Sequence, residues 1–248
     1  MNKWQWGTGI GLMALSMAAQ AALALSATLR LESSVVLGGA PVGDVSANGW
    51  GAPLSTLAVA VDTVATDGAG NRARMVGAGE AVWTDANAGR VAFTGMGWDV
   101  AASGVDAAVA FVGRNFSYEL TAGVGDTALI VDYLVTATGD RFGLQGWQIE
   151  VEGGPELLQS INLLDAFDPA ASGQFSANLT PGASYTLWLI SPGNVSGSLG
   201  FNLSGRMDSV FDWRVASTAV PEPGALPLTA LALGLGVWAS RRRRTGMA

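Results

Sequence analysis

The feature of this sequence that most limits its fold is a two-residue alternation of apolar and polar side chains, repeated in short runs. Successive side chains of a strand point to opposite faces of a sheet, so this period predicts strands with one buried face. Clusters of Gly, Asp, Asn and Pro separate the runs and predict tight turns. We predict eleven strands, at 28–32, 57–64, 79–83, 90–100, 117–121, 127–138, 144–151, 174–179, 184–191, 197–203 and 209–215.

One segment departs from this pattern. Residues 155–168 include the run ELLQSINLLDAF, which is compatible with one or two helical turns at an edge, and its state stays open. The chain has 34 glycines and only 13% charged residues, a composition that suits short strands and tight turns better than a helical bundle. We predict an all-β fold with a single jelly-roll-like β-sandwich over 25–216, flanked by an N-terminal signal peptide and one C-terminal transmembrane helix.

The composition also excludes several functional classes. The 248 residues include no Cys and no His, which removes disulfides, thiol nucleophiles, imidazole bases and ordinary zinc sites. Positions 22–219 carry eight arginines against 19 acidic residues, and nucleic-acid phosphates would repel such a body. We therefore expect a protein that is not an enzyme, uses no cofactor and binds no nucleic acid.

The N-terminal segment 1–24 has the three-part layout of a secretory signal peptide. Lys3 precedes an apolar stretch at 9–19, and small residues follow it. Two cleavage motifs are available, Ala19-Gln20-Ala21 and Ala22-Leu23-Ala24. The layout predicts export and removal of this segment.

The C-terminal segment 217–248 also has three parts. An uncharged run of fifteen residues, 225–239, would rise about 22 Å as a helix, against about 30 Å of bilayer hydrocarbon. The arginines that follow can extend to the interface and keep the chain end cytoplasmic. We predict a transmembrane helix at 225–240 and a signal that consists of Val220, Pro221, Glu222 and Pro223 before it and of Arg241, Arg242, Arg243 and Arg244 after it.

This order of parts over the last 29 residues resembles the PEP-CTERM sorting signal of Gram-negative bacteria. The same tail is also labelled an ice-binding protein C-terminal segment. The resemblance implies recognition by an exosortase, a membrane-embedded cysteine transpeptidase thought to cut near the Pro-Glu-Pro motif. It further implies export through the inner membrane, transient anchoring there, and a final place at the cell surface or outside the cell, associated with exopolysaccharide or biofilm.

Two groups of acidic residues are candidate sites. Glu150 and Glu152 lie two apart and would share one strand face, whereas a glycosidase needs two carboxylates that flank the bond to be cut; we favour a solvated face. Asp62, Asp67 and Asn71, with Asp140 in a similar turn, offer oxygen ligands for calcium. They lack the acidic spacing and the bidentate glutamate of a dedicated loop, so we favour plain turns.

Tryptophan and asparagine give two further patterns. Exposed tryptophans could stack on sugar rings and buried ones would form core, and the sequence does not separate these alternatives for Trp50, Trp83, Trp98, Trp147, Trp188 and Trp213. Four N-x-S/T triplets begin at Asn115, Asn178, Asn194 and Asn202, which we interpret as polar strand ends and turns.

These observations together predict an exported bacterial surface or matrix protein without catalytic activity. The alternative is a carbohydrate-binding module that acts on exopolysaccharide, and a glycoside-active enzyme is the least favoured interpretation.

Overall fold

The computed structural model describes residues 23–50, 56–85, 87–111, 114–140, 147–153, 156–163, 170–190, 194–197 and 202–217. All of them lie within one compact unit, Ala21–Thr218. Most of the predicted signal peptide and almost the whole predicted sorting segment lie outside the described residues. Within these ranges, no helix is long and apolar enough to cross a membrane.

The described strands form two sheets, sheet A and sheet B, in which every pairing is antiparallel. Sheet A contains β1 (Leu23–Leu37), β2 (Ala40–Trp50), β6 (Ala107–Phe111), β7 (Arg114–Thr121), β9 (Gln148–Gly153), β10 (Glu156–Asn162), β12 (Ser184–Ile190) and β13 (Asn194–Gly197). Sheet B contains β3 (Thr56–Thr66), β4 (Arg72–Asp85), β5 (Ala88–Ala101), β8 (Asp126–Gly139), β11 (Ala170–Asn178) and β14 (Asn202–Ser217).

The order of the strands follows from their pairing. In sheet A, β6 and β7 lie end to end along one side of β1, while β2 pairs with its other side. On the far side of these two strands, β13 pairs with β6 and β12 pairs with β7. Strand β9 pairs with β12, and β10 pairs with β9 at the edge. Sheet B has the order β11-β8-β14-β5-β4-β3. The all-β prediction and the single two-sheet sandwich are thereby confirmed.

The inner faces of the two sheets form one hydrophobic core. Strand β3 shows the cause, since Leu57, Val59 and Val61 are buried and the residues between them are exposed. The aromatic core residues pack closely: the ring centroids of Phe93 and Trp147 are 4.6 Å apart. Large aromatic side chains dominate burial in such a core.

Two buried tryptophans of sheet B lie against glycines on neighbouring strands. Trp98 is paired with Gly205, and a Cβ added at Gly205 would lie 2.3 Å from the Trp98 ring. Trp213 is paired with Gly89, where an added Cβ would lie 2.7 Å from the indole. Because neither glycine has a side chain, the flat ring of the tryptophan can lie directly on the glycine backbone.

Three strands were not predicted from the sequence. Strand β2 has its described side chains exposed or half-buried, so it shows no alternation of burial. Strand β6 continues the line of β7, and β10 covers the segment whose state was open. Residues Glu156–Asn162 form a strand because they pair with β9, for example Ile161 with Ile149. Of the predicted strand 197–203, Gly197 ends β13, Asn202 begins β14 and 198–201 lie outside the described residues.

Both ends of the described chain meet at one end of the sandwich. Leu23, the first residue of β1, pairs with Thr121, and Ser217, the last residue of β14, pairs with Asp126. Thr121 and Asp126 are joined by a loop of four residues, 122–125. The pairing of β1 therefore begins two residues inside the segment predicted to be signal peptide.

Candidate functional site

The residues of the predicted sorting signal lie outside the described residues. These are Val220, Pro221, Glu222, Pro223, Arg241, Arg242, Arg243 and Arg244. The candidate sites that the structure does describe belong to the outer faces and the turns of the sandwich.

Glu150 and Glu152 share the outer face of β9, as the alternation predicted. Val151 between them is fully buried, and both glutamates are half-buried. The Gln148 Nε2 donates a hydrogen bond of 2.6 Å to Glu150 Oε1. The two carboxylates stand side by side on one strand, which is not the arrangement in which a glycosidase pair flanks a bond.

Trp188 lies on the same outer face, on the neighbouring strand β12. Its backbone is paired with Glu150 on one side and with Ser117 of β7 on the other. The indole Nε1 donates a hydrogen bond of 2.7 Å to Glu152 Oε2, which is diagonal to it across the strands. This bond directs the indole toward β9 and fixes its orientation on the face.

Short polar side chains surround this tryptophan. Thr186 pairs with Glu119 of β7 and with Glu152 of β9, so the next row of the face carries a hydroxyl between two carboxylates. Ser26 Oγ donates a bond of 2.7 Å to Glu119. We call the set Trp188, Thr186, Glu119, Glu150 and Glu152 the Trp188 face.

The other described tryptophan side chains are in the core. Trp83, Trp98, Trp147 and Trp213 are all at most 6% exposed. The side chain of Trp50 is outside the described residues. Trp188 is therefore the one tryptophan of the body, among those with described side chains, that lies on an outer face. The sequence could not single it out, because the sequence alone does not separate the buried face of a strand from the outer face for these tryptophans.

The residues considered for calcium are held in other interactions. Asp62 forms an ion pair with Arg74, while Asp67 closes its own turn by accepting bonds of 2.9 Å from the backbone N–H groups of Ala69 and Asn71. Asp140 accepts from the backbone of Ser204. No group of three or more acidic residues in the described ranges is placed to hold a metal ion. Asp67 and Asn71 belong to the turn between β3 and β4, as the sequence favoured, whereas Asp62 lies within β3 and not in a turn.

The asparagines of the N-x-S/T triplets lie at or near strand ends, as predicted. Asn178 ends β11, Asn194 begins β13 and Asn202 begins β14. Asn115 is the second residue of β7 and is only 1% exposed. Its Nδ2 donates a bond of 3.3 Å to the carbonyl oxygen of Arg30, at the break between β6 and β7. The burial of Asn115 was not predictable from the triplet.

The outer face of sheet B carries a different arrangement, which we call the ion-pair ladder. Arginine and aspartate side chains on neighbouring strands pair across the sheet: Arg74 with Asp62, Arg72 with Asp99, Arg90 with Asp212, and Arg214 with Asp132. Gln174 of β11 extends it by donating a bond of 2.6 Å to Asp132. Arg206 and Asp208 form a further pair along β14.

These contacts shift the acid–base equilibria of the ladder. The hydrogen bond from Arg74 lowers the pKa of Asp62, and the bonds from Gln174 and Arg214 lower that of Asp132. Conversely, the bond to Asp212 raises the pKa of Arg90. The pairs are exposed to solvent, so each is worth little for stability.

A shallow groove of about 600 Å³ lies beside the ladder on β3, β4 and β5. Its floor is made mainly of alanines, Ala58, Ala60, Ala78 and Ala92, with Glu80 and Thr94 among the other lining residues. The groove follows from small side chains on an outer face, and Ser46 of β2 also lines it.

No model of a known protein family matches the sequence, and neither does any curated protein. Among solved structures, the chain is similar to the carbohydrate-binding module CBM6cm-2 from Cellvibrio mixtus lichenase 5A in complex with cellotriose. The identity is 14%, the match covers 60% of this chain and 86% of that one, and the TM-score is 0.19. It is also similar to the structure of the infectious bursal disease virus Gx strain, with 12% identity, 80% and 58% coverage and a TM-score of 0.27. At these TM-scores, neither likeness carries an argument about function.

Proposed function

We propose that this chain is an exported bacterial surface or matrix protein, delivered by a C-terminal signal that an exosortase processes, with a non-catalytic body of jelly-roll-like type. The observation that carries the proposal is the tail: Pro221-Glu222-Pro223, an uncharged run, and four arginines in that order. A transmembrane helix at 225–240 would hold the precursor in the inner membrane until processing. The body would then remain at the cell surface or in an exopolysaccharide matrix.

The layout of the sandwich supports this delivery. Leu23 and Ser217 pair with residues at the two ends of one short loop, so the two terminal segments leave the body at the same end. A body with both connections at one end can fold while its tail stays in the membrane. The pairing of Leu23 also favours cleavage of the signal peptide after Ala21, because a cut after Ala24 would remove two paired residues of β1.

The test of delivery uses the full-length chain expressed in its native host. Replacing Arg241, Arg242, Arg243 and Arg244 with Ser, or Glu222 with Ala, should leave a full-size precursor in the inner membrane. The matched control replaces Arg206, which belongs to the ion-pair ladder, with Ser. Mature mass and location, measured by mass spectrometry after fractionation, should change in the tail variants only. Identical maturation of tail variants and control would rule out the signal.

The Trp188 face supports a second candidate function, which is carbohydrate binding. A sugar ring has apolar faces edged with hydroxyl groups, so it needs a flat aromatic surface beside polar side chains. Trp188 offers the aromatic surface in an orientation fixed by Glu152, with Thr186 and Glu150 close by. Exopolysaccharide from the producing cell is the ligand that this candidate implies.

Binding of the mature protein to extracted exopolysaccharide tests this candidate. Trp188→Ala should weaken binding about five- to 150-fold, if a stacked sugar ring contributes the roughly 1–3 kcal/mol that a nucleobase stacked on an aromatic side chain contributes. Leu134→Ala is the control, because Leu134 is 50% exposed on the outer face of sheet B. Equal affinity of the two variants would show that the Trp188 face is not where exopolysaccharide binds. Released reducing sugar in the same assay would instead favour the glycoside-active interpretation.

A further inference from the structure

The folded body ends very close to the proposed processing motif. Strand β14 ends at Ser217, and only three residues separate Ser217 from Pro221. Even fully extended, the chain between these two Cα atoms spans at most about 14 Å. An enzyme that binds the Pro-Glu-Pro motif must therefore come close to the end of the sandwich.

The final residues of β14 pair with β8 in the fold, and such an enzyme would have to bind the backbone of the same residues. Residues before a proline favour an extended backbone, and enzymes that bind extended peptides commonly do so through main-chain hydrogen bonds. A groove that holds four residues before Pro221 already includes Ser217. The Ser217 backbone is paired with Asp126 of β8, and a backbone group cannot bond to β8 and to an enzyme groove at the same time.

The last residues of β14 have fewer strand neighbours than its middle, although the Thr127 hydroxyl also donates a bond of 3.2 Å to the carbonyl oxygen of Ala216. From Asn202 to Arg214, β14 has β5 as a neighbour, and most of this stretch also pairs with β8. Beyond Arg214 the pairing continues with β8 alone, and the register shifts between Ala216 and Ser217. Val215 keeps one further backbone bond, of 2.8 Å, to Asn87.

A firm anchor lies immediately before this end. Trp213 is 2% exposed, and its ring centroid lies 4.2 Å from that of Tyr118. Separation of the strand beyond Trp213 leaves this packing intact, whereas separation that includes Trp213 opens the core. Release of Val215 gives up its partial burial against the core, but none of Val215, Ala216 and Ser217 carries the fully buried packing of Trp213.

We propose that processing acts on the folded precursor and requires Val215, Ala216 and Ser217 to separate from β8, with Trp213 as the point where separation stops. This inference rests on the proposed function, since it assumes a processing enzyme at Pro221-Glu222-Pro223. The rate of maturation then depends on how easily three terminal residues leave a sheet.

A disulfide across this end tests the inference directly. Ala216 and Ala128 are register partners, and directly opposite residues of antiparallel strands lie within the Cα distance that a disulfide needs. Because the chain has no cysteine, the double variant Ala216→Cys, Ala128→Cys contains a single possible bridge. The matched control joins β8 to β11 through Ser176→Cys, Ile130→Cys, which leaves the end of β14 free.

Maturation is measured by pulse-chase of the full-length chain in the native host. The bridge at Ala216 should slow maturation at least tenfold relative to the control bridge, and a reductant should restore the rate. Insertion of six Gly and Ser residues between Ser217 and Thr218 should make the bridged chain mature at the control rate. Equal rates for the two bridges would overturn the inference, because processing would then not require the end of β14 to separate from β8.

The failure of delivery and the failure of strand release give different results. If the Glu222 and arginine variants mature normally, the proposed delivery fails. If those variants are blocked while the bridge at Ala216 has no effect, delivery stands and only the release of β14 is refuted.

Discussion

The outer faces of the two sheets differ in how their polar groups are used. On sheet B, aspartates pair with arginines across neighbouring strands, as Arg90 does with Asp212 through bonds of 2.7 and 3.0 Å. On sheet A, the Trp188 face combines carboxylates with hydroxyls and an indole that is held by Glu152 at 2.7 Å. In the first arrangement the charged groups pair with one another, whereas the second includes a half-buried indole on the outer face.

This difference fits a structural role for the ladder and the binding role proposed above for the Trp188 face. Exposed cross-strand ion pairs contribute only about 0–1 kcal/mol each, but opposite charges at fixed positions help to set strand register and solubility. The ladder is thus a structural surface. An oriented tryptophan among hydroxyl and carboxylate groups adds little to stability and is suited to contact with a ligand, so variants of the two sheets should separate stability from binding.

The largest expected effect separates two tryptophans, one inside sheet B and one outside sheet A. Trp213→Ala removes a buried indole and should lower the free energy of unfolding by about 3–5 kcal/mol. Trp188→Ala should cost about 1 kcal/mol or less, because its site is on an outer face. Urea unfolding of the mature protein measures both. A loss at Trp188 as large as that at Trp213 would contradict the assignment of Trp188 to a ligand surface.

A smaller effect is expected where glycine makes room for an aromatic ring in sheet B. Gly205→Ala places a Cβ 2.3 Å from the Trp98 ring, and the resulting overpacking should cost about 3 kcal/mol. The control is Gly49→Ala on β2 of sheet A, where nothing lies within 4 Å of the added atom. Its stability should stay within about 0.5 kcal/mol of wild type. Thermal unfolding compares the two, and similar shifts would show that the close contact with Trp98 is not maintained.

The buried polar residue of sheet A should have an intermediate effect. Asn115→Ala leaves the carbonyl oxygen of Arg30 without this donor, at a cost of about 1–2 kcal/mol. Asn178→Ala, at the exposed end of β11 in sheet B, serves as the control and should be nearly neutral. Equal stability of the two variants in urea would mean that the break between β6 and β7 does not depend on Asn115.

The smallest effect concerns acid and the ion-pair ladder. The pKa values of Asp62, Asp132 and Asp208 are lowered in the folded state, so their stabilising contribution is complete above the unfolded value of about 3.9. It is lost as the pH falls through that value toward the folded pKa. The triple variant Asp62→Asn, Asp132→Asn, Asp208→Asn should therefore lose less stability than wild type between pH 7 and pH 3. Measurement of the urea midpoint at both values checks this.

A second triple variant provides the control for the acid experiment. It replaces Glu119, Glu150 and Glu152 of the Trp188 face with Gln, which removes the same number of charges from sheet A. If this variant loses less stability between pH 7 and pH 3 than the Asn variant does, the ladder does not account for the loss of stability in acid.

The accuracy of the sequence predictions varied with how each strand is buried. Strands β3 and β5, each with one buried face, were predicted nearly to their ends, whereas only 79–83 of β4 was predicted although its burial alternates in the same way. Strand β2 was missed because its side chains are largely exposed and its Gly, Pro, Asp and Asn content is typical of turns. The leucines of β10 were compatible with one or two helical turns and left the state of the segment open, and pairing with β9 made it a strand.

The candidate site was less predictable than the fold. The sequence placed Glu150 and Glu152 on one face, since that requires only the period of a strand. It could not bring Trp188 next to them, because β9 and β12 become neighbours only through the order of the strands in sheet A. It could not bury Asn115 either, since that burial comes from a break between two strands aligned along β1.

By itself, the sequence determined the class of the fold, the acidic character of the body, the absence of Cys and His, and the three-part pattern of each end. These properties are local, because they depend on alternation, composition and the order of short motifs. Only the tertiary structure decided which of the described tryptophan side chains lies on an outer face, which charges pair across sheet B, and at which residue β14 ends. Such features depend on which strands become neighbours, and neighbours in a β-sandwich are often far apart in the chain.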